Sequence, residues 1–312
     1  MTDHGGNVGR RTVAVLGAGL IGQSWSALFA AYGHDVIVWD PADDWTPGFH
    51  AFVDRALRQI RALESGDILE GTIRCTPTIE EAVASASWVQ ENAPESVPLK
   101  HELYARVEAA IGPETIIASS TSSLTWSVLS EPLALKERFV TAHPFNPPHL
   151  MPLVEIFAPD ARTRDAAHRF FTGLERRPVF LEKEAVGHIA NRLASALWRE
   201  AVHIVDQGIA SVADVDAALV HGPGLRWSVQ GAHMAYHLGG GPGGLDAYLR
   251  HLGPSQVRRW ATLGTPDLTE ALCRRLVQGI EDEAAGRSVS DLESERDAAL
   301  MRILRAHRGA GQ

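Results

Sequence analysis

The chain has 312 residues, of which 45% are hydrophobic and 21% charged, and a net charge of −9. That length suits two domains and that composition an ordinary globular protein. Its 29 lysines and arginines are scattered and outnumbered by 38 acids, which argues against a nucleic-acid partner or a basic membrane-binding face.

The N-terminal MTDHGGNVGRR is polar and lacks the apolar segment of a signal peptide. Apolar runs are interrupted within about a dozen residues, short of the roughly 20 a membrane span needs. Cys75 and Cys273 are the only cysteines and neither has a CxxC or metal-like neighbour, so neither a disulfide framework nor a metal site is expected. A cytoplasmic protein is the expectation.

From Thr12 onward, short β-branched runs alternate with helical spacing. TVAVL (12–16), DVIVWD (35–40), SWVQEN (87–92), ETIIAS (114–119), RFVTAH (138–143) and PLVEIF (152–157) predict strands. Residues 21–32, 51–63, 98–110 and 164–174 predict helices between them. Such alternation makes an α/β fold, a doubly wound and mostly parallel sheet with helices on both faces.

The first strand runs into Gly17-x-Gly19-x-x-Gly22, with Leu20 and Ile21 inside the motif, and a helix follows at once. Glycines there allow a tight turn, close approach of backbone to a pyrophosphate, and close packing of helix on strand. The helix start offers unpaired N–H groups to that anion. Asp40 ends the next strand, 23 positions after Gly17, where a carboxylate can accept bonds from ribose hydroxyls. Asp43 and Asp44 follow, with no Arg or Lys before Arg55. A 2′-phosphate would be repelled there, so NAD is expected rather than NADP.

Further along, AHPFNPPHLMPLVEI (142–156) sets His143 and Asn146 in a proline-stiffened turn and Glu155 in an apolar run. On these residues alone two readings stand: a proton-transfer pair in fixed geometry, or a tight corner whose polar groups cap backbone. After RPVFLEKE (177–184) strand signal fades. VGHIANRLASALWREAVHIVDQGIA (186–210) predicts one long amphipathic helix, and SVADVDAALVHG, YHLGGGPGGL and a helical tail over 265–307 follow. A boundary near residue 185 is expected, with a nucleotide domain over 1–185 and an all-α domain over 186–312.

The combination GAGLIGQSW, QENAPE (90–95), SSTSSL (119–124), HPFNPP with Glu155, and IANRL (189–193) resembles the 3-hydroxyacyl-CoA dehydrogenase superfamily. HPFNPPHLMPLVEI, GPGLRWS (222–228) and YHLGGGPGGL are similar to its branch acting on free hydroxy acids, the L-carnitine dehydrogenase and L-gulonate 3-dehydrogenase/lambda-crystallin group. The resemblance spans roughly residues 11 to 307. It implies a catalytic His143–Glu155 dyad that exchanges a proton with a substrate hydroxyl while hydride moves between substrate and NAD. It also implies that Ser122 bonds near the reacting oxygen, that Asn191 faces substrate and dyad, and that Glu95 and Lys100 lie beside the cofactor. Asn146 either braces the turn or contacts the nicotinamide region. The resemblance further implies a homodimer through the helical domain.

Family members that use CoA thioesters carry a lysine-rich insert after the second strand. Here residues 41–70 hold three arginines against six acids, a poor surface for a polyphosphate. A small, anionic 3-hydroxy or 3-keto compound is therefore expected, with Arg226 or Lys100 as its carboxylate partner. Arg226 could equally hold a salt bridge within the helical domain. Carnitine enzymes carry more aromatics after GLRW, where this chain has Gln230, His233, Met234 and Tyr236, and more often an aromatic near His149. A ketoreductase for a polyketide or 3-hydroxyacyl thioester, and a crystallin-like structural or NADH-binding protein, are the alternatives.

Overall fold

The computed structural model describes residues 9–64 and 70–309. The N-terminal residues 1–8 and Asp67 of the acidic segment, both used above, lie outside the described residues. The first half runs β1 (Thr12–Leu16), α1 (Leu20–Ala31), β2 (Asp35–Trp39), α2 (Thr46–Leu63), β3 (Ile73–Cys75), α3 (Ile79–Val83) and β4 (Trp88–Glu91). It continues through α4 (Val97–Ala110), β5 (Ile116–Ser119), α5 (Trp126–Leu129), β6 (Phe139–Pro144), β7 (Leu153–Phe157), α6 (Ala161–Gly173) and β8 (Arg177–Phe180).

The eight strands form one sheet in the order β3-β2-β1-β4-β5-β6-β7-β8. Every neighbouring pair is parallel except β6–β7. Successive side chains of a strand point to opposite faces, and here both faces are covered. Val13, Val15 and Trp88 meet Trp25 and Phe29 of α1 and Phe170 and Phe171 of α6. Ala14, Leu16 and Val89 meet Ile79 and Val83 of α3 and Leu103, Tyr104 and Val107 of α4. A fully buried large apolar side chain contributes about 1.5–3 kcal/mol. An exposed ion pair such as Arg106–Glu80 is screened by water and contributes little. Apolar burial therefore sets the layers.

The chain leaves β1 toward β2 on one side, while β4 pairs with β1 on the other. The order thus reverses between β1 and β4, and a crevice opens outside their carboxyl ends. Gly17 lies there at φ +92°, and a Cβ on it would come within 2.9 Å of the Asn92 carbonyl oxygen. Only glycine fits that conformation and approach.

The chain divides into two compact units, Met1–Arg192 with Arg296–Gln312, and Leu193–Glu295. The remaining helices are α7 (Ala190–Asp206), α8 (Val212–His221), α9 (Pro223–Trp227), α10 (Ala232–Gly239), α11 (Gly244–Trp260), α12 (Glu270–Ala284) and α13 (Val289–Gly309). Two expectations change. The helix expected from residue 186 starts only at Ala190, because Gly187 and His188 stand at φ +77° and +47°, outside helical space. The helical region expected to run unbroken over 186–312 loses its last turns to the first unit. There Arg305 donates to the Ala62 carbonyl, and Arg308 donates to the Leu63 carbonyl and pairs with Glu64 and Glu175.

Of the apolar side chains in Leu193–Glu295, only Val202, Val205 and Leu272 are buried. Leu193, Trp198, Leu225 and Trp260 are among its many exposed ones. Among the described residues no helix is long and apolar enough to cross a membrane.

Candidate active site

His143 and Glu155 are direct partners across the antiparallel β6–β7 pair, and this explains their spacing. The proline turn between them sets the register, and facing side chains of an antiparallel pair stand on one side of the sheet. His143 Nδ1 lies 3.0 Å from Glu155 Oε2. The other carboxylate oxygen, Oε1, accepts the backbone N–H groups of Ile189 and Ala190, each at 2.8 Å. Burial alone would raise the Glu155 carboxyl, but the His143 bond and the two N–H donors outweigh it and hold it below its ordinary value. An ionised carboxylate only accepts, so Nδ1 carries the imidazole proton and Nε2 is left as the basic nitrogen. The amide nitrogen of Asn191 lies 3.4 Å from Nε2.

The turn is anchored from several sides. Arg176, itself buried, donates to the carbonyls of Pro148 and Met151. The His149 backbone N–H donates to Ser24 Oγ, and the His149 ring bridges Ser24 and Gln59.

A second cluster shapes the end of β4. The buried carboxylate of Glu91 receives Lys100 Nζ, Tyr104 OH, Ser119 Oγ and the Ala93 N–H, each at 2.6 Å. Beyond it, Glu95 accepts Thr121 Oγ1, Ser122 Oγ and the N–H groups of Ser122 and Ser123. Burial raises the Glu95 carboxyl, yet these donors and the nearby Lys100 charge leave it below its ordinary value.

These elements enclose a cleft of about 400 Å³ whose lining lies wholly within the first unit. Ile21, Glu95, Ser122, His143, Asn146 and Asn191 line it, and among the described residues no lysine or arginine does. Six of the residues singled out from the sequence are thus brought together, and Glu155 stands behind His143.

Residues 12–185 match the family model described as the NAD binding domain of 3-hydroxyacyl-CoA dehydrogenase, and residues 187–272 match that of its C-terminal domain. The chain belongs to the 3-hydroxyacyl-CoA dehydrogenase family. It is an NAD-dependent oxidoreductase acting on CH–OH groups. It is 44% identical to the L-carnitine dehydrogenase of Streptomyces griseus subsp. griseus, covering 95% of this chain and 90% of that one. To the L-carnitine dehydrogenase of Pseudomonas aeruginosa it is 40% identical, covering 96% and 94%. Among solved structures it is similar to 5-formyl-3-hydroxy-2-methylpyridine 4-carboxylic acid 5-dehydrogenase, an NAD-dependent dismutase. That match has a TM-score of 0.82 and 26% identity, over 96% of this chain and 99% of the other.

In this dehydrogenase the first turn of α1 fits the cofactor's pyrophosphate. Gly19, its N-cap, is exposed, makes no side-chain cap, and has open space where a Cβ would be. No acidic side chain stands in that turn, so its N–H groups remain available to an anion. Gly22 has the opposite constraint: a Cβ there would lie 1.9 Å from the Gly17 carbonyl oxygen. Asp40 spans the loop, accepting the Ala18 N–H at 2.7 Å and the Ala42 N–H at 2.9 Å. Asp43 and Asp44 are exposed beside it.

Three expectations for this family member are corrected. Lys100 is buried, and its ammonium is spent on Glu91 and the Ala93 carbonyl. It cannot reach a substrate carboxylate, and it acts on the cleft only through the loop it holds. His149 is buried in the Ser24–Gln59 network and does not line the cleft, so its identity says little about the substrate. Arg226 is exposed on α9 and takes part in no ion pair among the described residues, so the salt-bridge reading for it has no partner. Sequence reasoning also missed Glu91, whose only signal was a charge at the end of an apolar strand. It missed His188 as well, whose ring stacks on that of His143 with centroids 4.9 Å apart. Nothing in the local pattern marked it.

Proposed function

We propose that this dehydrogenase interconverts a small 3-hydroxy acid of the carnitine type and its 3-keto form, with His143 as general base and acid. The observation that carries the reading is the basic Nε2 of His143 at the cleft, beside the Asn191 amide, with Nδ1 held by Glu155. The 44% identity to an L-carnitine dehydrogenase over 95% of the chain supports the substrate class. So does the lining, where Glu95 and Phe145 stand without a lysine or arginine among the described residues, a setting suited to a quaternary ammonium group. The excess of six acids over three arginines across residues 41–70 supports a free acid over a CoA thioester.

NAD, when bound, supplies the hydride acceptor. His143 Nε2 takes the proton of the substrate hydroxyl, and Glu155 stabilises the imidazolium that forms. Two backbone donors keep Glu155 ionised, so the proton stays on the imidazole. Ser122 turns its hydroxyl from Glu95 to the reacting oxygen when substrate binds, and the Asn191 amide orients that oxygen at Nε2. Gly17, Gly19, Leu20, Ile21 and Gly22 hold the pyrophosphate and Asp40 the adenosine ribose. Glu95 and Asn146 flank the nicotinamide. Arg226 is the candidate partner of the substrate carboxylate.

Residues 1–185 carry the cofactor in this reading, and the helical part from 186 carries substrate selection and dimerisation. The exposed Leu193, Leu197 and Trp198 of α7 support a homodimer, since a single unit leaves them in water. The unpaired thiols of Cys75 and Cys273 support a cytoplasmic location. A turnover screen with NAD tests the function, using L-carnitine, other free 3-hydroxy acids, 3-hydroxyacyl thioesters and aromatic ketones with NADH. Fastest turnover of a free 3-hydroxy acid is the expected outcome. Faster turnover of acyl-CoA esters, or of bulky ketones, would overturn the substrate class.

A further inference from the structure

His188 has no part in the chemistry above, yet it sits against the residue that does. Its ring lies on the His143 ring with the planes 19° from parallel. Its Nε2 is 3.0 Å from the Thr121 carbonyl, which only accepts, so Nε2 carries the proton. Nδ1 is then a bare lone pair, buried with no hydrogen-bond partner among the described residues. The residue is 4% exposed and its backbone stands at φ +47°.

Two of these features are unfavourable by themselves. Left-handed backbone disfavours a side-chain-bearing residue, and an unpaired buried acceptor has lost its water. Leucine or phenylalanine would fill the same space without the orphaned nitrogen. What the imidazole adds is a neutral, electron-rich face against His143 and one N–H that fixes its orientation.

We infer that His188 is a positioning residue for His143: it holds the catalytic ring flat against its own face and stabilises the imidazolium formed when His143 takes the substrate proton. The inference rests on His143 being the base. The charges that bear on His188 are those of His143 on β6, Glu155 on β7 and Glu95 on the loop after β4. Burial foremost, then the His143 charge, keeps the His188 ring below its ordinary range. His188 therefore stays neutral beside His143. The Thr121 bond also joins the start of α7 to the turn that carries Ser122.

The test is an NMR titration of the His143 ring in the full chain, with and without NADH, for wild type, His188→Leu and His188→Phe. With leucine the His143 midpoint is expected to fall by about half a pH unit, as a cation loses its facing π system. The acid limb of kcat/KM should move in the same direction, with KM for NAD unchanged. Phenylalanine, which keeps the flat face, should produce the smaller fall. An unchanged midpoint in a folded His188→Leu protein would overturn the inference, as would an equal fall in both variants. If the leucine variant does not fold, a fall of half a unit or more in His188→Phe overturns it. The midpoint needs no turnover, so an active His143→Ala protein would sink the base assignment separately.

Discussion

In the proposed reaction the chemistry at His143 depends on which ring nitrogen holds the proton, and Glu155 decides it. Glu155→Gln would keep the shape and still accept the Ile189 and Ala190 N–H groups through its amide oxygen. Its NH2 would then face Nδ1 and force the proton to Nε2, leaving no base toward the cleft. The expected loss in kcat is about 10²–10⁴-fold with little change in NADH affinity, the pattern of an orienting carboxylate; a kcat near wild type would contradict the tautomer argument. The pair was legible through the family resemblance that HPFNPP with Glu155 carries, since the proline turn alone left a backbone-capping corner equally open. The rest of its shell was not. Ile189, Ala190 and His188 reach the dyad from a segment more than thirty residues further along. Lys100 shows the same limit from the other side. A lysine on a predicted helix reads as solvated, and only the fold reveals the buried Glu91 that consumes it.

At the level of elements, the strand–glycine loop–helix unit was the most legible part, since each glycine has a local reason. Gly22 and Gly19 separate fold from function. Gly22→Ala puts a Cβ 1.9 Å from backbone, and forcing α1 off β1 should cost about 1–3 kcal/mol and weaken NAD binding. Gly19→Ala meets open space, so thermal stability should hold while NAD binding weakens, because the methyl intrudes on the cofactor. Equal loss of stability in both variants would argue against the cradle. Asp40→Ala should likewise weaken NAD binding and, with an arginine added after it, raise use of NADP. Six strands were legible as β-branched runs between turns, whereas the four-residue β8, with a proline at its second position, was not among them. β3 was not, since Ile73–Cys75 offers three residues and almost no period. The start of α7 was misplaced because Gly187 and His188 turn the backbone left-handed, although the apolar spacing runs straight through them.

For the whole molecule, two measurable properties follow from burial. Leu193–Glu295 keeps so few apolar side chains from water that a dimer is expected by light scattering at micromolar concentration. A monomer there would remove that proposal. The second property is acid sensitivity. His34 and His149 are buried, and burial pushes each ring down from 6.5 to about 4. Between those values the unfolded chain binds protons that the native state refuses. Stability should therefore fall as pH drops from 6.5 toward 4, by up to about 1.4 kcal/mol per pH unit for each ring. Glu155, held below its ordinary value, adds stability above its unfolded pKa that is lost as pH falls through its folded one. Urea unfolding across this range should show the decline, and His149→Gln should flatten part of it. A midpoint independent of pH from 6.5 to 4 would contradict the buried neutral rings.

The central claim is that His143 moves the proton while substrate is oxidised at the NAD site. Its most direct test compares NADH formation from the best 3-hydroxy acid in wild type and His143→Ala, with NADH affinity measured alongside. The predicted result is a rate lowered by about 10²–10⁴-fold, the usual share of a general base, with NADH binding unchanged. A His143→Ala protein that retains most of the wild-type rate would contradict it.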